Sequence, residues 1–232
     1  MRGFLFALLL VSGCLSSGSI PSEVEMRSFK YGNIEIFPLG HASVMVTGSK
    51  TLYFDPFVLP AGPRKADAIF ISHGHYDHCD PKQVASISGP NTLIFAPSSC
   101  AGKLKGNVRT VSAGDSFSEA GLEVEVVPAY NPSKPYHPKG SGVGFVVSMD
   151  NVRIYQAGDT DFVPEMKDIR ADIALLPIGG TYTMDVPGAA KAALAIKPKL
   201  VIPIHYNYVE GTKADPSELK RLLSNASIEV KY

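Results

Sequence analysis

One decapeptide restricts this chain more than any other feature. Ile71-Ser72-His73-Gly74-His75-Tyr76-Asp77-His78-Cys79-Asp80 places three imidazoles and a carboxylate within six residues. It follows the apolar run Ala68-Ile69-Phe70-Ile71, which reads as a buried strand. It leads into Asp80-Pro81, which reads as a helix cap followed by a first-turn proline. On a loop, that spacing lets alternate side chains converge on one point or on two adjacent points. Imidazole with carboxylate suits a borderline divalent metal, zinc first, with manganese and iron as alternatives. The sequence holds six histidines and three stand here, so a polar loop with chance histidines is the weaker reading.

The surroundings of that loop read as interleaved strands and helices. Strands are expected at Ile34–Ile36, Ser43–Thr47, Thr51–Phe54, Thr92–Ala96 and Leu122–Val126. Further strands are expected at Val143–Met149, Val152–Gln156, Ile173–Leu176, Leu200–Ile204 and Ile228–Val230, with Asp150-Asn151 as a hairpin turn. Asp185 caps an Ala-rich helix over Val186–Ile196, and Asp215-Pro216 opens a last helix ending near Leu223. The class is therefore α/β or α+β, with strands enough for two sheets. From Val24 onward no Pro/Gly/Ser-rich linker divides the chain and no motif recurs, so residues 24–232 read as one domain.

The first residues are of another kind. Arg2 precedes the apolar run Phe4 to Val11, which is too short to span a bilayer but fits the core of an export signal. Val11-Ser12-Gly13-Cys14 resembles the lipobox of prokaryotic lipoproteins. That likeness implies a signal over 1–13, lipidation at Cys14 as the first mature residue, a flexible tether over 14–23, and export to the cell envelope on a lipid anchor. The alternatives are a plain cleaved signal, or a retained anchor on the cytoplasmic membrane. Lys+Arg and Asp+Glu balance at 22 each with no long basic run, which argues against nucleic acid as the main partner. Three cysteines cannot build a disulfide framework; Cys79, next to His78, reads as a weak ligand or a buried thiol. No Gly-x-Ser-x-Gly motif occurs, and no Gly-Lys-Ser/Thr follows Gly179-Gly180.

His73-Gly74-His75-Tyr76-Asp77-His78 resembles the His-x-His-x-Asp-His signature of the metallo-β-lactamase superfamily of hydrolases. The resemblance implies a four-layer αβ/βα sandwich with metals in a groove at one edge between the sheets. His137, Asp159 within Ala157-Gly158-Asp159-Thr160-Asp161, and His205 within Ile202-Pro203-Ile204-His205-Tyr206-Asn207 match the superfamily's later motifs in order. By the same resemblance two divalent ions are expected. His73, His75 and His137 would hold one, Asp77, His78 and His205 the other, and Asp159 would bridge. A metal-bound hydroxide would then cleave an ester, lactone or phosphodiester, with Asp77 also handling a proton. Leu39-Gly40-His41-Ala42-Ser43 and Gly179-Gly180-Thr181-Tyr182-Thr183-Met184-Asp185 look most like a subgroup of small metal-dependent hydrolases. That subgroup is related to the ascorbate-phosphate lactonases and, more distantly, to the phospholipase D acting on N-acyl phosphatidylethanolamines. True β-lactamases usually carry Cys where Asp159 stands, which disfavours antibiotic hydrolysis.

The pattern has one departure. In many relatives the third-motif histidine directly follows its strand, whereas here that stretch reads Val127-Pro128-Ala129-Tyr130-Asn131 and His137 comes later. His137 is then either a ligand carried back by its loop or a contact for substrate. His41 is expected to support a ligand or relay a proton, against the alternative of a hydrogen-bonded structural histidine. Asn131, Tyr182 and Asn207 are expected to line the groove as substrate contacts, with aromatic packing an equal account of the tyrosine. The substrate expected is a small molecule, or a lipid if the chain sits at an envelope. The competing class is a surface-anchored metal-binding protein without turnover.

Overall fold

The computed structural model describes residues 27–232; the expected signal, Cys14 and the whole tether lie outside the described residues. Each half of the described chain builds one seven-stranded sheet in simple sequence order. The first comprises β1 (Phe29–Tyr31), β2 (Ile34–Gly40), β3 (Ser43–Thr47), β4 (Thr51–Phe54), β5 (Ala68–Phe70), β6 (Leu93–Ala96) and β7 (Asn107–Thr110). Strands β1 to β4 form an antiparallel meander, and β4 to β7 then run parallel. The second comprises β8 (Ser116–Glu119), β9 (Leu122–Ala129), β10 (Gly142–Met149), β11 (Val152–Gln156), β12 (Ile173–Pro177), β13 (Leu200–Ile204) and β14 (Glu229–Val230). It repeats the plan, antiparallel from β8 to β11 and parallel from β11 to β14. The repeat is one of pairing, carried by apolar patterning with different residues, so no recurring motif reveals it.

Period-two alternation decides the layers. Ile36, Val44, Phe54, Phe70 and Phe95 of the first sheet face Val126, Phe145, Ile154, Leu175 and Ile202 of the second. The Phe70 ring stacks on Phe54 and Phe95 at 5.2 and 5.1 Å and meets Phe145 edge-on at 5.3 Å, which locks the sheets face to face. The alternate residues Met45, Tyr53, Ile69 and Ile94 share the other face of the first sheet with residues of α1 (Pro81–Ile87) and α2 (Ser98–Ala101). Val146, Tyr155, Leu176 and Val201 do the same on the second, beneath α3 (Val186–Ile196), α4 (Pro216–Leu222) and a 3-10 turn at Pro164–Asp168. The result is the expected four-layer αβ/βα sandwich.

Local chemistry sets the helix starts. Asp80, Asp185 and Asp215 each accept a backbone N–H of the first turn, and a proline stands in that turn in all three helices. Cys79 and Cys100 are joined in a disulfide with Cα atoms 6.1 Å apart. This corrects the reading of Cys79 as a free thiol or weak ligand: the bond ties the histidine loop to α2.

Candidate metal centre

The site lies at one edge of the sandwich, where loops from both sheets meet. Asp55 follows β4, Ser72 and His73 follow β5, Asp159 follows β11 and His205 follows β13, so the ends of the inner strands deliver most of it. His41 sits in the turn between β2 and β3, and His137 in the loop between β9 and β10. Two main-chain bonds join the sheets here, from Val143 N to Ser72 O at 2.9 Å and from His205 N to His41 O at 2.8 Å. His41, Asp55 and His205 all have positive φ, at 52°, 43° and 53°. Non-glycine residues held there cost about 1–3 kcal/mol each and cluster where a site dictates the backbone. Gly158 supplies a φ of +66° just before Asp159, and a Cβ on it would lie 2.9 Å from the Ser72 Cβ.

The candidate ligand atoms form three overlapping groups, in each of which all lie within 4.8 Å of one another. The first is His73, His75 and His137, the second His41, Asp77, His78 and His205, and the third His73, His78 and Asp159. His75 Nδ1 lies 3.0 Å from His73 Nε2 and 3.2 Å from His137 Nε2. Zinc–nitrogen bonds of about 2.0–2.1 Å in a tetrahedron put nitrogens roughly 3.3 Å apart, so this trio has the spacing a metal requires. The Asp159 carboxylate lies 3.0 Å from His205 Nε2, 3.4 Å from both His137 Nε2 and His78 Nε2, and 3.9 Å from His73 Nε2. His78 Nε2 is buried and has no hydrogen-bond partner. The donor set fits divalent metal, and the loop does carry His137 back to His73 and His75.

Sequence reasoning missed Asp55, which orients ligands of both groups. It is fully buried and accepts from Ser72 N at 2.7 Å, Ser72 Oγ at 2.8 Å, His78 Nδ1 at 2.9 Å and Gln156 Nε2 at 2.6 Å. His73 Nδ1 in turn donates to Ser72 Oγ at 2.9 Å. One carboxylate therefore fixes two tautomers, turning the Nε2 lone pairs of His73 and His78 inward. Asn131 does the same for His137, its Oδ1 accepting from the ring Nδ1 at 2.8 Å and from the backbone N at 3.1 Å. In sequence, Asp55-Pro56 looks like an ordinary turn; only the spatial approach of Ser72 and Gln156 marks it.

Burial holds His73 well below the ordinary imidazole range, and holds His41 and His137 below it, which favours the neutral, ligating form. Burial also pulls His78 down, but Asp159 and Asp55 outweigh it and carry the ring well above its usual value. Burial pushes the Asp159 carboxyl up, yet neighbouring His78 and His205 hold it well below the usual range. At Asp77 burial is likewise outweighed, here by the His41 Nε2–H donating to Oδ2 at 2.9 Å and by His78, so the group is lowered. The acids of this site demand positive charge among them.

Three expected substrate contacts fall differently. Asn131 is buried behind His137, with its Oδ1 holding that ring. Asn207 is exposed in its own loop, its amide closed on the backbone of Ala214. Asn131 Nδ2 is buried without a hydrogen-bond partner, whereas both polar atoms of the Asn207 amide are engaged within its loop. Tyr182 stays beside the site, its carbonyl 3.2 Å from His137 Nδ1 and its ring 4.8 Å from Tyr136. Of the most exposed large apolar side chains described, Tyr76 (69%), Tyr208 (54%) and Tyr136 (42%) stand within three residues of a cluster histidine. They rim the centre, with Tyr208 5.6 Å from His41 and Phe57 5.9 Å from Tyr76.

The family model described as Beta-lactamase superfamily domain matches residues 35–205. A UPF0173 metal-dependent hydrolase of Thermoplasma acidophilum is 37% identical over 205 residues, covering 82% of this chain and 91% of that protein. A solved structure from Parabacteroides distasonis superposes with a TM-score of 0.80 at 34% identity, covering 89% of this chain and 97% of the other. That of a metallo hydrolase from Ignicoccus hospitalis gives 0.73 at 27% identity, over 85% and 94%.

Proposed function

The chain belongs to the beta-lactamase superfamily domain family and is a metal-dependent hydrolase; on that premise we propose that it uses two divalent ions, zinc in preference, to cleave an ester, lactone or phosphodiester of a small molecule. The observation that carries this reading is the position of Asp159, within 3.9 Å of four imidazole Nε2 atoms drawn from both ligand groups. In this reading His73, His75 and His137 would hold one ion and Asp77, His78 and His205 the other, with Asp159 available to both. Ions bound there supply a water of lowered pKa and a positive charge on the bond under attack.

The rest is work for the chain's own groups. In this reading the Asp77 carboxylate, aligned by the His41 Nε2–H donating to Oδ2, is the group that handles a proton. Asp55, Ser72 and Asn131 keep the ligating lone pairs pointed inward. The tyrosine rim receives the apolar part of a small molecule. With zinc or manganese added, the purified chain is expected to turn over at least one class in a panel of chromogenic esters, lactones, phosphodiesters and a phospholipid. Asp77→Ala is expected to lose about 10²-fold or more while metal analysis still finds an ion in the His73 trio. Failure of the metal-replete chain across the whole panel would instead favour metal binding without turnover.

The mature chain belongs, in this reading, outside the cytoplasm on a lipid at Cys14. The apolar run before Cys14 supports this, as does the Cys79–Cys100 bond, since disulfides persist in oxidising compartments. Mass spectrometry of the membrane-extracted chain is expected to find a lipidated Cys14 as the first residue; an intact Met1 rejects the placement.

A further inference from the structure

We propose that Lys103 selects substrates carrying an oxyanion group, a carboxylate or phosphate, which its ammonium receives beside the first ligand trio. The proposal rests on the hydrolase reading above and names the substrate class of that same centre. A cavity of about 270 Å³ opens on His73, His75 and His137, and its wall also carries Ser99, Lys103 and Ser141. No carboxylate lines it. The Lys103 ammonium donates to Gly74 O at 2.8 Å, which sets it over the backbone between His73 and His75. An ammonium has three N–H donors, and this contact uses one. The two lysines of the loop bearing His137 are neutralised, Lys134 by Asp161 at 2.7 Å and Lys139 by Glu165 at 2.9 Å. Among the described residues no such partner faces Lys103, so its charge is left for a ligand.

The placement is built in. A Cβ on Gly74 would lie 2.6 Å from Ser99 O, so the histidine loop packs directly on the start of α2. The Cys79–Cys100 bond joins the same two segments, and Lys103 N donates to Cys100 O at 2.8 Å. Lys103 therefore ends a short segment pinned twice to the metal loop. A charge held in advance costs little ordering when a ligand arrives.

Calorimetric titration of the zinc-loaded full chain with phenylphosphonate, and with benzamide as a neutral probe, tests this. Lys103→Ala is expected to weaken phenylphosphonate about tenfold and Lys103→Glu further, with Lys103→Arg within about threefold of the parent. Benzamide binding is expected to be the same in all four proteins. Equal phenylphosphonate affinity in the parent and Lys103→Ala overturns the proposal, as does no binding by the parent or an equal loss for benzamide. Zinc content lost together with affinity would assign Lys103 to holding the loop, which also overturns it. If no ester or phosphodiester is hydrolysed while the calorimetric contrast persists, the oxyanion site stands and the hydrolase reading fails.

Discussion

Asp159→Asn is expected to lower kcat/KM by about 10³-fold and, on the two-ion proposal, to release one of the ions, with the fold intact. The carboxylate reaches histidines of both ligand groups and sits at their centre, fully enclosed. An amide keeps its shape but removes a negative charge and turns an N–H toward ligating nitrogens. Shared metals contribute several kcal/mol of charge stabilisation, and each 1.4 kcal/mol is about tenfold in rate. Steady-state kinetics with metal analysis and circular dichroism checks this. A variant that keeps full activity with two ions would remove Asp159 from the centre and leave the dinuclear reading without its main support.

Asp55 is expected to matter almost as much, in two separable ways. Asp55→Ala strips the acceptor from Ser72, His78 and Gln156 in a fully buried place. Breaking such a charged network costs about 3–5 kcal/mol, a fall of roughly 10 °C in Tm for a domain of this size. Asp55→Asn should be milder in stability but act on the metal. Its amide N–H₂, if it replaces Oδ2, cannot accept from His78 Nδ1, so the imidazole proton moves to Nε2 and occupies the ligating lone pair. Metal affinity is then expected to fall about 10–100-fold. Competition with a zinc-binding dye measures that loss separately from thermal melting; an Asn variant with parental affinity would show that the tautomer is set elsewhere.

Much of this was legible in the chain because its causes are local. The histidine loop, the Asp-Pro helix starts and the Asp150-Asn151 hairpin, with φ of 52° and 63°, depend on residues a few positions apart. The second ligand set could be placed by resemblance in motif order. What escaped depends on approach through space. Asp55 acquires its role from Ser72 and Gln156, 17 and 101 residues away. Asn131 acquires its hold on His137 only through the fold-back of their loop. Cys79 and Cys100 meet only once α2 packs on the loop. Strands β1, β7 and β8 are short and half-exposed, with too few apolar positions for alternation to register.

The division of the centre between two similarly built halves governs when it can come into being. Ribosomal synthesis delivers His41 to His78 early, but neither ligand trio can close until His137, Asp159 and His205 have emerged and the second sheet has docked. An ion held by either set would thus be captured late in maturation rather than serve as a nucleus for it. If the chain is exported unfolded, as proposed above, that capture would take place on the far side of the membrane. The ion kept would then be settled by the supply at the destination, whatever the supply where translation occurred.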